Sequence, residues 1–128
     1  MRFAFLGLLL LGCKTDIQLT YYTDVCQDWD LNQPDPEMRV EQVDGDVVVT
    51  RVGIEKPCAA VFKPTIQAAG WRIQIFEDWE IGEDDECNLC FGPTVVLEAP
   101  PEGTYTIQWF PEPNVIKPVH EETVVVGS

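Results

Sequence analysis

MRVEQVDGDVVVT, residues 38–50, is the stretch whose reading decides the fold. Met38 to Val43 alternates apolar with polar residues, Asp44-Gly45 is a hairpin turn signal, and Val47 to Thr50 continues as the return strand. Successive side chains of a strand point to opposite faces, so this rhythm predicts two antiparallel strands with one face buried. The rhythm recurs outward in both directions. Ile17, Leu19 and Tyr21 alternate with polar neighbours and suggest a first strand, and Cys58 to Phe62 is a short strand bounded by Pro57 and Pro64. Trp71, Ile73 and Ile75 give the next strand a strongly apolar face. Thr94 to Leu97, then Tyr105, Ile107 and Trp109, then Thr123 to Val126 complete the series. Gln27 to Glu37, the acidic Glu77 to Glu86, Pro100-Pro101-Glu102-Gly103 and the proline-rich Pro111 to Pro118 read as connections. No stretch keeps a helical period over three turns. The expected class is all-β, a single antiparallel β-sandwich of about seven or eight strands.

The amino terminus is a different kind of segment. Met1-Arg2 precede an apolar run from Phe3 to Leu11, which ends at Leu10-Leu11-Gly12-Cys13. A charged start, a short apolar core and a small residue before a cut form the layout of a secretory signal. The run is far short of the ~20 residues that span a bilayer. Its last four residues resemble the lipobox of bacterial lipoproteins, in which the cysteine thiol is lipidated and becomes the first mature residue. That resemblance implies residues 1–12 as a signal peptide, a lipid such as palmitate on Cys13, and membrane attachment through that lipid. Lys14 after the cut leans towards an outer-membrane lipoprotein. Residues 13–24 then form the tether and a possible first strand, and residues 25–128 form the sandwich.

A second resemblance covers roughly residues 38–110. Gly45 to Val49, Pro57-Cys58 and Pro100-Pro101-Glu102-Gly103-Thr104-Tyr105-Thr106-Ile107 are similar to a pattern in exported bacterial proteins with immunoglobulin-like or fibronectin-III-like domains. The resemblance implies an immunoglobulin-like sandwich. It also implies a tyrosine corner at Tyr105, with the phenol bonding back to the preceding turn. It implies no activity.

Charge narrows the partners. The chain has 8 basic and 22 acidic side chains, a formal net charge of −14, and loss of Arg2 with the signal would deepen it. Such a surface repels phosphate backbones, so nucleic acid is not an expected partner. Apart from Cys13, the chain holds Cys26, Cys58, Cys87 and Cys90. An even number in an exported domain predicts two disulfides, and three connectivities are open. The scheme that joins Cys58 to one member of the Cys87/Cys90 pair and Cys26 to the other leads. The alternative is a thiol redox or metal-handling role for Cys87-x-x-Cys90. Four anions, Glu83 to Glu86, precede that motif and would discourage thiolate formation.

Other candidates are weaker. Asp28, Asp30 and Asn32 have the opening spacing of a calcium loop, but Gln33 and Arg39 stand where glycine and glutamate are needed, so no metal site is assigned. Ser128, at the very end, is the sole serine, which argues against a serine nucleophile, and a cysteine acting with His120, the sole histidine, would need a free thiol that the disulfide reading denies. Trp71 and Trp109 are expected in the core. Trp29 and Trp79 lie among carboxylates as candidate binding residues for a protein or carbohydrate, or as lids on the core. The expected function is a non-enzymatic, lipid-anchored binding or structural module of the cell envelope, with no cofactor.

Overall fold

The computed structural model of the chain describes residues 17–26, 36–82 and 87–127. Among these there is no helix. The strands are β1 (Gln18–Val25), β2 (Glu37–Val43), β3 (Asp46–Val52), β4 (Ile54–Pro57), β5 (Val61–Phe62) and β6 (Thr65–Ala69). They continue as β7 (Arg72–Phe76), β8 (Trp79–Glu80), β9 (Asn88–Glu98), β10 (Gly103–Phe110) and β11 (His120–Val126). The eleven segments exceed the seven or eight expected because a run breaks at Gly53 into β3 and β4. The two-residue strands β5 and β8 also make a small ribbon of their own.

β9 is the spine of the five-stranded sheet. Along one edge it pairs with the whole of β1, from Gln18 opposite Glu98 to Val25 opposite Phe91. Along the other it pairs first with β4 and then with β3, and β2 closes that edge in the order β1-β9-β3-β2. The β2–β3 hairpin lies where the sequence predicts it, with Asp44 (φ 51°) and Gly45 (φ 90°) in the turn. Both turn residues have positive φ, a requirement that Asp-Gly meets as readily as Asn-Gly or Gly-Gly.

The second sheet has the order β11-β10-β7-β6. Its central pair, β7 and β10, is parallel, the one departure from antiparallel pairing among the described strands. The chain leaves for the first sheet after β7 and returns only through β9, so β10 re-enters running the same way as β7. The inner faces meet in one core cluster: Val47 and Val49 from β3, Val95 and Leu97 from β9, Ile73 and Ile75 from β7, and Tyr105, Ile107 and Trp109 from β10. Each such side chain contributes roughly 1.5–3 kcal/mol by leaving water. This is an all-β sandwich.

Trp71 corrects an expectation. Its alternation with Ile73 and Ile75 predicts burial in the core, yet it remains 52% exposed. With Gly70 it forms the two-residue turn between β6 and β7, so it sits just past the sheet's end. Its ring meets Tyr105 edge-on at 5.0 Å and lies over Gly103. A Cβ on Gly103 would fall 2.5 Å from the indole, so only glycine fits beneath that ring.

Candidate functional site

Three features could carry function: the four cysteines gathered around the start of β9, a carboxylate buried between the sheets, and a trough on the outer face of the five-stranded sheet. The cysteines form Cys26–Cys90 and Cys58–Cys87 disulfides, with Cα separations of 5.2 and 5.4 Å. Backbone bonds run alongside, from Cys26 N–H to Cys90 O and from Cys58 N–H to Cys87 O. Residues three apart in extended chain lie about 10 Å apart, beyond the ~7 Å reach of a disulfide. Cys87 and Cys90 therefore each take a distant partner, one fastening β1 to β9 and the other fastening the end of β4. Two disulfides indicate an oxidising, non-cytoplasmic location. No helix among the described residues is long and apolar enough to cross a membrane.

The buried carboxylate is Glu77, 2% exposed. The sequence places it in a solvated acidic loop; the structure places it inside. It continues the inward series of Ile73 and Ile75, and its N–H donates to Phe110 O, so strand-like geometry persists one residue past β7. Arg51 Nη1 donates to Glu77 Oε1 at 2.7 Å and Trp109 Nε1 donates to the same oxygen at 2.9 Å. Trp79 Nε1 donates to Oε2 at 2.6 Å. Three donors thus replace the water that the carboxylate gives up, as a buried charge requires. His120, opposite Trp109 on β11, borders this group. Burial lowers its pKa first, the Arg51 charge lowers it further, and Glu77 opposes both. Arg51 Nε and His120 Nε2 are buried without a hydrogen-bond partner among the described residues.

Trp79 is half-buried. Its ring packs on Phe62 and Phe91 at 5.4 and 5.5 Å, and Lys56 Nζ lies 5.8 Å from its centroid. The expected Tyr105 contact is present: its hydroxyl donates to Pro101 O at 2.6 Å. Cys13, Asp28, Trp29, Asp30 and Asn32 lie outside the described residues. Among the described residues no three His, Cys, Asp or Glu side chains gather in a way that could hold a metal ion.

The trough, about 250 Å³, lies on the face of the five-stranded sheet turned away from the core. Thr50 and Thr94 form its floor, their hydroxyls 3.0 Å apart, and Thr94 Oγ1 donates to Gly92 O. Tyr22, half exposed, is one wall, with Asp24 beside it and Arg39 on the opposite rim. An aromatic face, two hydroxyls, a cation and an anion around one depression can hold a polar ligand by stacking and hydrogen bonds. Sequence reasoning missed this site because its members come from four strands that meet only in the sheet. No known protein family, curated protein or solved structure matches the chain.

Proposed function

We propose that this chain is an exported, lipid-anchored module with an immunoglobulin-like sandwich, working at the bacterial cell envelope by binding rather than by catalysis. The observation that carries this reading is the pair of disulfides, one at Cys90 on β9 and one at Cys87 just before it, which matches export. The segment ending Leu10-Leu11-Gly12-Cys13 supplies a route to export and an anchor on Cys13. The Tyr105–Pro101 bond supports the immunoglobulin-like assignment, and the trough between Tyr22 and Arg39 is the binding surface in this reading.

Metabolic labelling with palmitate in a bacterial host tests the anchor. The full chain should take up label and fractionate with membranes, whereas Cys13→Ser should remain unlabelled and unprocessed. An unlabelled, soluble wild-type chain would overturn the anchoring. Alkylation of the unreduced protein tests export separately, with Cys26, Cys58, Cys87 and Cys90 expected to be protected. Modification of Cys87 and Cys90 as free thiols would instead favour redox chemistry.

A further inference from the structure

One long side of the sandwich is sealed and the other is open. On the sealed side β2 and β11, the edge strands of the two sheets, lie against each other, and Gln42 Nε2 donates to Val125 O at 2.8 Å. β2 also carries Glu37, Arg39 and Glu41, and β11 carries Glu121 and Glu122, charges that discourage another strand from pairing. On the open side, β1 is approached by the β5–β8 ribbon. β6, paired with β7 on one side, is the remaining edge, and among the described residues no strand pairs with its outer side. Its sequence, Thr65-Ile66-Gln67-Ala68-Ala69, holds no charge and no proline, so the usual protections of an exposed edge are missing.

The two-residue Gly70-Trp71 turn makes Ala69–Arg72 a hydrogen-bonded pair of the hairpin. Alternation then turns the N–H and C=O groups of Ile66 and Ala68 outward, with Gln67 between them bonded inward to β7. We propose that this edge docks a second copy of the chain, β6 against β6 in antiparallel register about Gln67. In that register Ile66 of each copy exchanges both backbone hydrogen bonds with Ala68 of the other, and the two Gln67 side chains stand face to face. The contact is self-complementary, as a two-fold interface must be.

Charge and side-chain order favour a like copy. Residues 63–76 contain Lys63 and Arg72 and no acidic residue, so two chains of net charge −14 meet here with the least repulsion. Across the outer face, Gln67, Gln74, Gln108 and Glu121 stand in one register row. Gln74 Nε2 donates to Gln108 Oε1, and Gln108 Nε2 to Glu121 Oε1. Pairing about Gln67 runs this amide row unbroken through both copies. The five-residue edge is small beside the ~1,200 Å² of a stable interface, so the dimer is weak and dissociates on dilution.

The test uses the full chain carrying Gln67→Cys in intact cells. Cα atoms of residues facing across a non-hydrogen-bonded antiparallel pair lie about 4.5 Å apart, within disulfide reach. A cross-linked dimer should appear on a non-reducing gel, and Glu41→Cys on the sealed side should give none. In sedimentation, Gln67→Lys and Gln67→Glu should each be monomeric at concentrations where wild type dimerises, and their mixture should recover the dimer. Near-ultraviolet circular dichroism confirms that each variant is folded. The idea is overturned if wild type stays monomeric as concentration rises. It is equally overturned if Gln67→Lys dimerises as wild type does, since some other surface would then be responsible.

Discussion

The two ends of the sandwich are held by different physics. At the disulfide end, where β1 and β3 finish, the filling is a buried ion pair, two tryptophan N–H groups on one carboxylate, and two covalent bridges. At the hairpin end, where Asp44 and Gly45 turn the chain, the filling is aliphatic and aromatic, closed by Trp71 over Gly103 and by the Tyr105–Pro101 bond. The hairpin end uses short connections within the chain. The disulfide end gathers segments far apart in sequence, with bridges spanning 64 and 29 residues. Where a segment must be fixed at long range, cross-links and oriented charge do what a tight turn does elsewhere.

Breaking the bridges should have the largest effect. In the chain-entropy account, Cys26–Cys90 contributes about 4.3 kcal/mol and Cys58–Cys87 about 3.6 kcal/mol, the longer loop gaining more. Replacing each pair with alanine and measuring urea midpoints should rank them in that order. Equal losses would place their effect in the native state instead. Next is Glu77→Gln, which keeps the shape but leaves the Arg51 guanidinium uncompensated. Breaking a buried pair in this way costs about 3 kcal/mol or more. If the variant unfolds with no loss of stability, the carboxylate does not anchor the disulfide end. At the hairpin end, Tyr105→Phe removes one hydrogen bond to an exposed proline carbonyl and should cost only about 1 kcal/mol. A loss as large as that of Glu77→Gln would erase the contrast between the ends.

Local features were legible in the sequence and long-range ones were not. The β2–β3 hairpin follows from residues 38–50 alone, because alternation and the Asp-Gly turn are both local signals. The parallel β7–β10 pairing joins strands about thirty residues apart and depends on where β9 lies, which no short window records. Extending the alternation of Ile73 and Ile75 back to Trp71 goes one step too far, across a turn that begins at Gly70. At Glu77 the same alternation runs one step further than the charge of the next inward residue suggests. Arg51 follows Val47 and Val49 at the same spacing. Two opposite charges, each continuing an apolar series, were the available sign of a buried pair. The trough left no sign in the sequence at all, since Tyr22, Arg39, Thr50 and Thr94 are ordinary residues of separate strands.

The smallest effect is also the one that separates the two ends most cleanly, since His120 borders the buried ion pair and the hairpin end has no comparable group among the described residues. Burial, reinforced by Arg51 and opposed by Glu77, lowers the His120 pKa below its ordinary 6.5. The unfolded chain therefore binds this proton more readily than the folded one. Stability is full above the unfolded value and declines as pH falls below about 6.5, until the folded pKa is reached. Urea midpoints between pH 7.5 and pH 5.5 should fall for wild type. The share due to the histidine should vanish in His120→Gln, while any part arising from carboxylates remains in both. Hydrogen exchange then locates the effect: amides of β11 next to His120 and of β10 near Trp109 should lose protection first. Those around Gly103 and Tyr105 should hold. Uniform loss across both ends would mean that the proton acts on global stability and that the sandwich opens as one unit.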